Sequence, residues 1–129
     1  MSETAVQQRV MLEWASQGGQ VWRNNVGVAI DLTGRHIRYG LANISKKMNK
    51  DIKSSDLIGI TPVLIQQHHV GRVMGVFTAT ECKPSGWTFK LTDERAVAQK
   101  NYHDIVTAVG GLAGFATGPD DYYRIMSLR

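Results

Sequence analysis

The stretch ATECKPSGWTF, residues 79–89, decides how the chain is read. Side chains alternate across a strand, so Glu81 and Lys83 point to one face and Cys82 to the other. The run VMGVFTATECK, 73–83, is apolar at both alternating sets of positions. That pattern predicts a central strand covered on both sides, with Cys82 as a core residue. Upstream, DLIGITPVLI, 56–65, is β-branched and apolar and reads as a second strand, with Pro62 marking a bulge or an edge. QQHHVGR, 66–72, is the turn between the two, which predicts an antiparallel pair. In such a pair Asp56, at the start of the first strand, lies beside Glu81 and Lys83 at the end of the second.

Two carboxylates converging at a sheet edge form a hard-oxygen site of the kind that takes Mg²⁺ or Mn²⁺. The Cys82 carbonyl is positioned to add a third oxygen. A cation there polarises a phosphoryl oxygen and lowers the pKa of bound water, and Lys83 is placed to hold that water or the developing negative charge. The competing reading is a solvated Glu81–Lys83 ion pair at a strand end. Two further residues bear on the choice. Glu3 is expected in the first turn of a helix, on the same face as Val6, Val10 and Trp14, where an acid needs a partner; the alternative is an acid favoured by the helix dipole. Gln99 is expected at the edge of a helical core stripe, within reach of Lys83; the alternative is a boundary glutamine.

Outward from this core, residues 3–17 read as a helix capped by Ser2 and stopped by Gly18 and Gly19. QVWRNN is a short strand, and 27–55 is the least regular segment, a strand or two with a long basic loop. Thr92 is the expected cap of a helix whose apolar stripe is Ala98, Tyr102, Ile105, Val106 and Val109. LAGFATG is a final strand, and DDYYRIMSL, 120–128, a short helix or turn. The expected architecture is α/β, a mixed central sheet flanked by helices in the order α-β-β-β-α-β. With 129 residues, 43% of them hydrophobic, the chain suits one domain. It contains no apolar run of about 18 residues and no signal-peptide core at its start. A single cysteine excludes an intrachain disulfide and fits a reducing, cytoplasmic compartment. The net charge of +4 permits a polyanionic partner without requiring one.

Taken in order, SETAVQQ, GGQVWRNNVG, SSDLIGI, ATECK, GWTF and AQKNYHDIVTAVGGLAGFATGPDD resemble the VRR-NUC (virus-type replication-repair nuclease) family of the PD-(D/E)xK nuclease superfamily. The resemblance spans most of the chain and is weakest over 28–53. It implies a restriction-endonuclease-like core and a single nuclease domain over 1–129. The activity it implies is Mg²⁺- or Mn²⁺-dependent hydrolysis of DNA phosphodiester bonds. It assigns Glu3, Asp56 and Glu81 as metal-site acids, with Cys82 contributing through its carbonyl. It makes Lys83 the catalytic lysine and Gln99 an active-site support. Glu13 competes with Glu3 as the helical acid. Ser55 stands where the superfamily's name has proline, a position that shapes backbone and carries no chemistry. Small standalone members, often phage-encoded, resemble Holliday-junction resolvases and act as symmetric dimers. The expected substrate is therefore branched DNA in replication, recombination or repair, and the expected assembly a homodimer. Linear or single-stranded DNA, and a non-catalytic DNA-binding module, are the alternatives.

Positive charge clusters just before Asp56. Arg35, Arg38, Lys46, Lys47, Lys50 and Lys53 are candidate phosphate contacts, against the alternative of a solvated loop. Arg23 at a strand end is a further candidate, and Trp87 is placed to stack on a base or to pin its loop. His68 and His69, adjacent in a turn and without cysteine or a spaced acid, are a poor zinc signal and read as exposed. Ile37, Tyr39, Leu41 and Ile44 have no evident place in the sheet. They are assigned either to an arm that pairs across a dimer axis or to the chain's own core.

Overall fold

The structure, a computed structural model, describes residues 2–126. It is a mixed α/β protein whose chain forms two compact units. One takes the residues up to Ala15 together with Val21–Gly59; the other takes Ser16–Gln20 and the residues from Ile60 onward.

The first unit opens with α1 (Glu3–Ser16). Ser2 caps it: its Oγ accepts from the Ala5 amide at 3.2 Å and its carbonyl from the Val6 amide at 3.0 Å. The half-buried stripe of α1 runs through Gln7, Met11 and Trp14. Val6 and Val10, expected to face inward, are exposed at 45% and 43%. The covered face is thus rotated from the expected one, and only Trp14 is common to both. The segment expected to hold a strand or two with a long loop contains an antiparallel hairpin of β2 (Gly27–Ile30) and β3 (His36–Tyr39), in register Gly27↔Tyr39 through Ile30↔His36. Its five-residue turn is built on Asp31, whose Oδ1 accepts from the Thr33 amide and hydroxyl and from the Arg35 amide. A short helix, α2 (Lys46–Asp51), follows behind a Ser45 cap. β1 (Gln20–Arg23) pairs with β4 (Leu57–Ile60).

The strand expected over 56–65 ends at Ile60, two residues before Pro62, which has no amide to give to a ladder. The strand expected over 73–83 is shorter too: β5 covers Thr78–Cys82. The predicted hairpin between them is not the observed pairing. β4 has β1 as its partner, and β5 has β6 (Leu112–Ala116). The described ladders are three two-stranded sheets where one mixed central sheet was expected. The 66–72 segment contains a single 3₁₀ turn, Gln67–His69, in which the Gln66 amide donates to His69 Nδ1 at 3.0 Å. His68 is exposed as expected; His69 is half-buried by this bond.

The second unit is a β-α-β-α arrangement. β5 and β6 run parallel, Thr78↔Leu112 through Cys82↔Ala116, as the intervening helix α3 (Glu94–Ala108) requires. Asp93, not Thr92, caps α3, its Oδ1 accepting from the Ala96 amide at 3.1 Å. The inward face of α3 is Ala96, Gln99, His103 and Val106, of which Ala96 and Val106 are fully buried. Ile105 and Tyr102, assigned to the apolar stripe, are 44% and 38% exposed. α4 (Asp120–Ile125) packs on the opposite face of β6, with Ile125 against Gly114. Residues 127 and 128 of the expected C-terminal segment lie outside the described residues. No described helix is long and apolar enough to cross a membrane.

Candidate functional site

β5 alternates in burial, where a strand covered on both sides was expected. Ala79 and Glu81 are half-buried, with Lys83 continuing that face, while Thr78, Thr80 and Cys82 are exposed. Cys82 is therefore not the core residue expected. α4 packs against β6, and the face of β5 that carries Cys82 stays open.

The other face is where the chemistry-bearing groups collect. Glu81 stands opposite Phe115 in the ladder, so their side chains share a side of the sheet. Phe115 lies 4.8 Å, centroid to centroid, from both the His103 and Trp87 rings. Lys83 Nζ sits over the Trp87 ring at 5.4 Å and the Phe115 ring at 5.9 Å, within cation–π range. The Lys83 amide is fixed by a 2.9 Å bond to the Ala116 carbonyl, extending the parallel ladder by one residue. Glu81, Lys83, Phe115 and the inward face of α3 thus form one side of a layer, with Trp87 closing it from the loop.

No ion pair joins Glu81 to Lys83 within 4.0 Å, and neither side chain pairs with another charged residue at that distance among the described residues. The solvated ion-pair reading does not hold. On α3, one turn before His103, Gln99 Oε1 is buried and accepts no hydrogen bond. A buried amide oxygen without a donor is rare, because its desolvation goes uncompensated. His103 was not singled out from the sequence. It is 7% exposed, and burial holds its pKa below the ordinary imidazole value, against the pull of the Glu81 and Asp104 charges and aided by Lys100. Its spacing of four from Gln99 and three from Val106 was the available signal.

In the first unit, Asp56 immediately precedes β4. Asn24 holds the segment: its amide donates to the Asp56 carbonyl at 2.8 Å, and its Nδ2 to Ser54 Oγ and the Ser55 carbonyl. The Asp56 side chain is exposed and takes no partner among the described residues. Glu3 is exposed in the first turn of α1, one turn before Gln7, and Arg23 is exposed at the end of β1. Glu13, the competing helical acid, is also exposed. Lys46, Lys47 and Lys50 are exposed on α2, and Arg35 pairs with Asp31 across the hairpin turn at 3.4 Å. Arg38 and Lys53 differ from these: both line a recess with Asn43 and Asn49. Among the described residues no group of three or more His, Cys, Asp or Glu side chains gathers to hold a metal ion. No family model, curated protein or solved structure matches this chain.

Proposed function

We propose that the chain is a Mg²⁺- or Mn²⁺-dependent endonuclease of the PD-(D/E)xK type, with the VRR-NUC family as its kin and branched DNA as its substrate. The observation that carries this reading is one layer of the second unit that holds the half-buried Glu81, Lys83 with its Nζ over the Trp87 and Phe115 rings, and the buried Gln99 Oε1 that accepts no hydrogen bond. A buried amide oxygen without a donor is uncommon in a purely structural role, and a water or ligand at the site would satisfy it.

The donor chemistry fits a hard divalent cation. Glu81 and the Cys82 carbonyl of the second unit offer only oxygen, and the expected ligand set adds the carboxylates of Asp56 and Glu3, both exposed in the first unit. Mg²⁺ is commonly held by one or two carboxylates, water and substrate phosphate rather than by a closed protein cage. When bound, the cation would supply charge neutralisation on a phosphoryl oxygen and an acidified water. Lys83 contributes N–H donors and ligates nothing, which suits it to the oxygen on which negative charge develops. Its Nζ lies over the Trp87 and Phe115 rings. Gln99 Oε1 is an acceptor suited to orient a water. Hydrolysis adds that water across one P–O bond, giving a phosphomonoester and a hydroxyl.

A nicking assay on defined DNA substrates, with and without Mg²⁺, tests the reading. Cleavage is expected only with the metal, and Asp56→Asn and Glu81→Gln each abolish it while leaving the fold and DNA binding in place. Undiminished cleavage in EDTA, or by both variants, would remove the assignment.

A further inference from the structure

The first unit contains a recess of about 290 Å³, small for a ligand pocket, lined by Arg38, Lys53, Asn43, Asn49, Ser54 and the backbone at Gly27. Its floor is built around Asn43, which is 3% exposed. Asn43 Nδ2 donates to the Gly27 carbonyl at 2.9 Å and the Tyr39 carbonyl at 2.8 Å, tying β2, β3 and the following turn together. Its Oδ1 accepts from Arg38 Nη2 at 2.7 Å and Nε at 3.2 Å, and its carbonyl accepts from Nε at 3.3 Å. The guanidinium is thereby locked in plane by a buried residue, and its Nη1 group takes no partner among the described residues. Lys53 is held in a similar way. Its Nζ donates to the Asn49 carbonyl at 3.0 Å and to Asn49 Oδ1 at 2.9 Å. An ammonium has three donors, so a donor remains. Among the described residues no carboxylate lies within 4.0 Å of either cation.

Two cations fixed by neutral amides, with donors to spare and no acid between them, make a preorganised anion site. We propose that this recess binds a phosphoryl group, gripped by the Arg38 fork and the Lys53 ammonium. The neighbouring Lys46, Lys47 and Lys50 do not line it and are not part of it. The inference does not depend on the nuclease reading, since none of the residues named for catalysis lines the recess.

The test is an amide-resolved NMR titration of the full chain at low ionic strength with inorganic phosphate, and separately with a short single-stranded oligonucleotide lacking terminal phosphates. Saturable shifts are expected at residues 26–28, 38, 43 and 49–54. Arg38→Gln and Lys53→Gln should each weaken binding about tenfold, as loss of a charge-assisted bond predicts. Arg95→Gln, at an exposed cation of the second unit, should leave inorganic phosphate binding unchanged. Shifts with phosphate alone identify a free phosphate ligand, and shifts with the oligonucleotide alone identify a nucleic-acid diester; either supports the site. If Arg38→Gln does not fold, Lys53→Gln carries the test alone. The proposal is overturned if neither probe shifts these amides, or if folded variants bind as the parent does. An Asp56→Asn chain should titrate like the parent, so loss of cleavage and loss of this site are read separately.

Discussion

Lys83 and His103 sit on the same layer and call for opposite treatment. Lys83 has no carboxylate within 4.0 Å among the described residues, and its Nζ lies over two aromatic rings. If its role is to donate to developing charge, Lys83→Ala should lose turnover while Mn²⁺ binding by calorimetry is unchanged; a folded variant that no longer binds Mn²⁺ would make lysine a builder of the metal site instead. Gln99→Ala should give a milder defect, and full activity there would return Gln99 to a packing role. His103 is buried neutral, with its pKa lowered first by desolvation. In the unfolded chain the imidazole titrates near its ordinary value of about 6.5. Between that value and the lower folded one, the unfolded state binds more protons, so stability rises with pH and is lost on acidification through that window. The urea midpoint should therefore fall between about pH 7 and pH 5, and fall less in a folded His103→Gln chain. Equal slopes in the two proteins would show that other groups set the acid limit.

Elements are legible where hydrophobic pattern and local chemistry agree. Alternation along β5 puts Glu81 and Lys83 on one face, and the glycines at 110–111 mark the end of α3 and the start of β6. The inward face of α3 is hidden from the pattern because two of its four members, Gln99 and His103, are polar, while the outward Tyr102 and Ile105 are apolar. Periodicity weighs residues by hydrophobicity, so a face that carries chemistry looks like a solvent face. The partner of β5 is hidden for a different reason. An apolar strand pattern does not say which strand it pairs with, and the nearest in sequence, residues 56–65, is not the partner. A strand or two is legible in 27–55, but not the role of Asn43, a single buried amide tied to three residues that no local pattern links. That role is testable. Asn43→Ala leaves the Gly27 and Tyr39 carbonyls and the Arg38 guanidinium without their bonds, and should cost about 2–4 kcal/mol in urea unfolding. Asp93→Ala, which removes one cap at an otherwise intact helix, should cost about 1 kcal/mol.

At the scale of the whole molecule the proposed function raises two questions, whether the chain meets DNA through its exposed lysines and whether it acts as a dimer. The exposed lysines on α2 belong to a chain with net charge +4, and their contribution is separable from the recess by salt dependence. If Lys46, Lys47 and Lys50 neutralise phosphates, replacing all three with alanine should weaken every duplex sequence alike. It should also flatten the slope of log affinity against log salt by about 0.9 for each phosphate no longer neutralised. An unchanged slope would make α2 a solvated helix. Assembly follows from the proposed chemistry. If the chain resolves four-way junctions as proposed, two cuts on symmetry-related strands are required, and a chain with one metal site would need a twofold partner. The apolar side chains assigned to that interface are uncovered in the first unit: Ile37 is 45% exposed, Tyr39 48%, Leu41 54% and Ile44 85%. Ile37 and Tyr39 lie on a strand of a two-stranded ladder, which leaves a free edge to template pairing with a second chain. Sedimentation at micromolar concentration should then show a dimer, and Ile37→Lys, placing charge on that strand, should shift it toward monomer. The parent should cut four-way junctions by paired incisions in preference to linear duplex, and Ile37→Lys should lose the pairing of incisions before it loses single nicks. A parent that sediments as a monomer and cuts single-stranded and linear DNA as fast as junctions would leave phosphodiester hydrolysis standing and remove junction resolution.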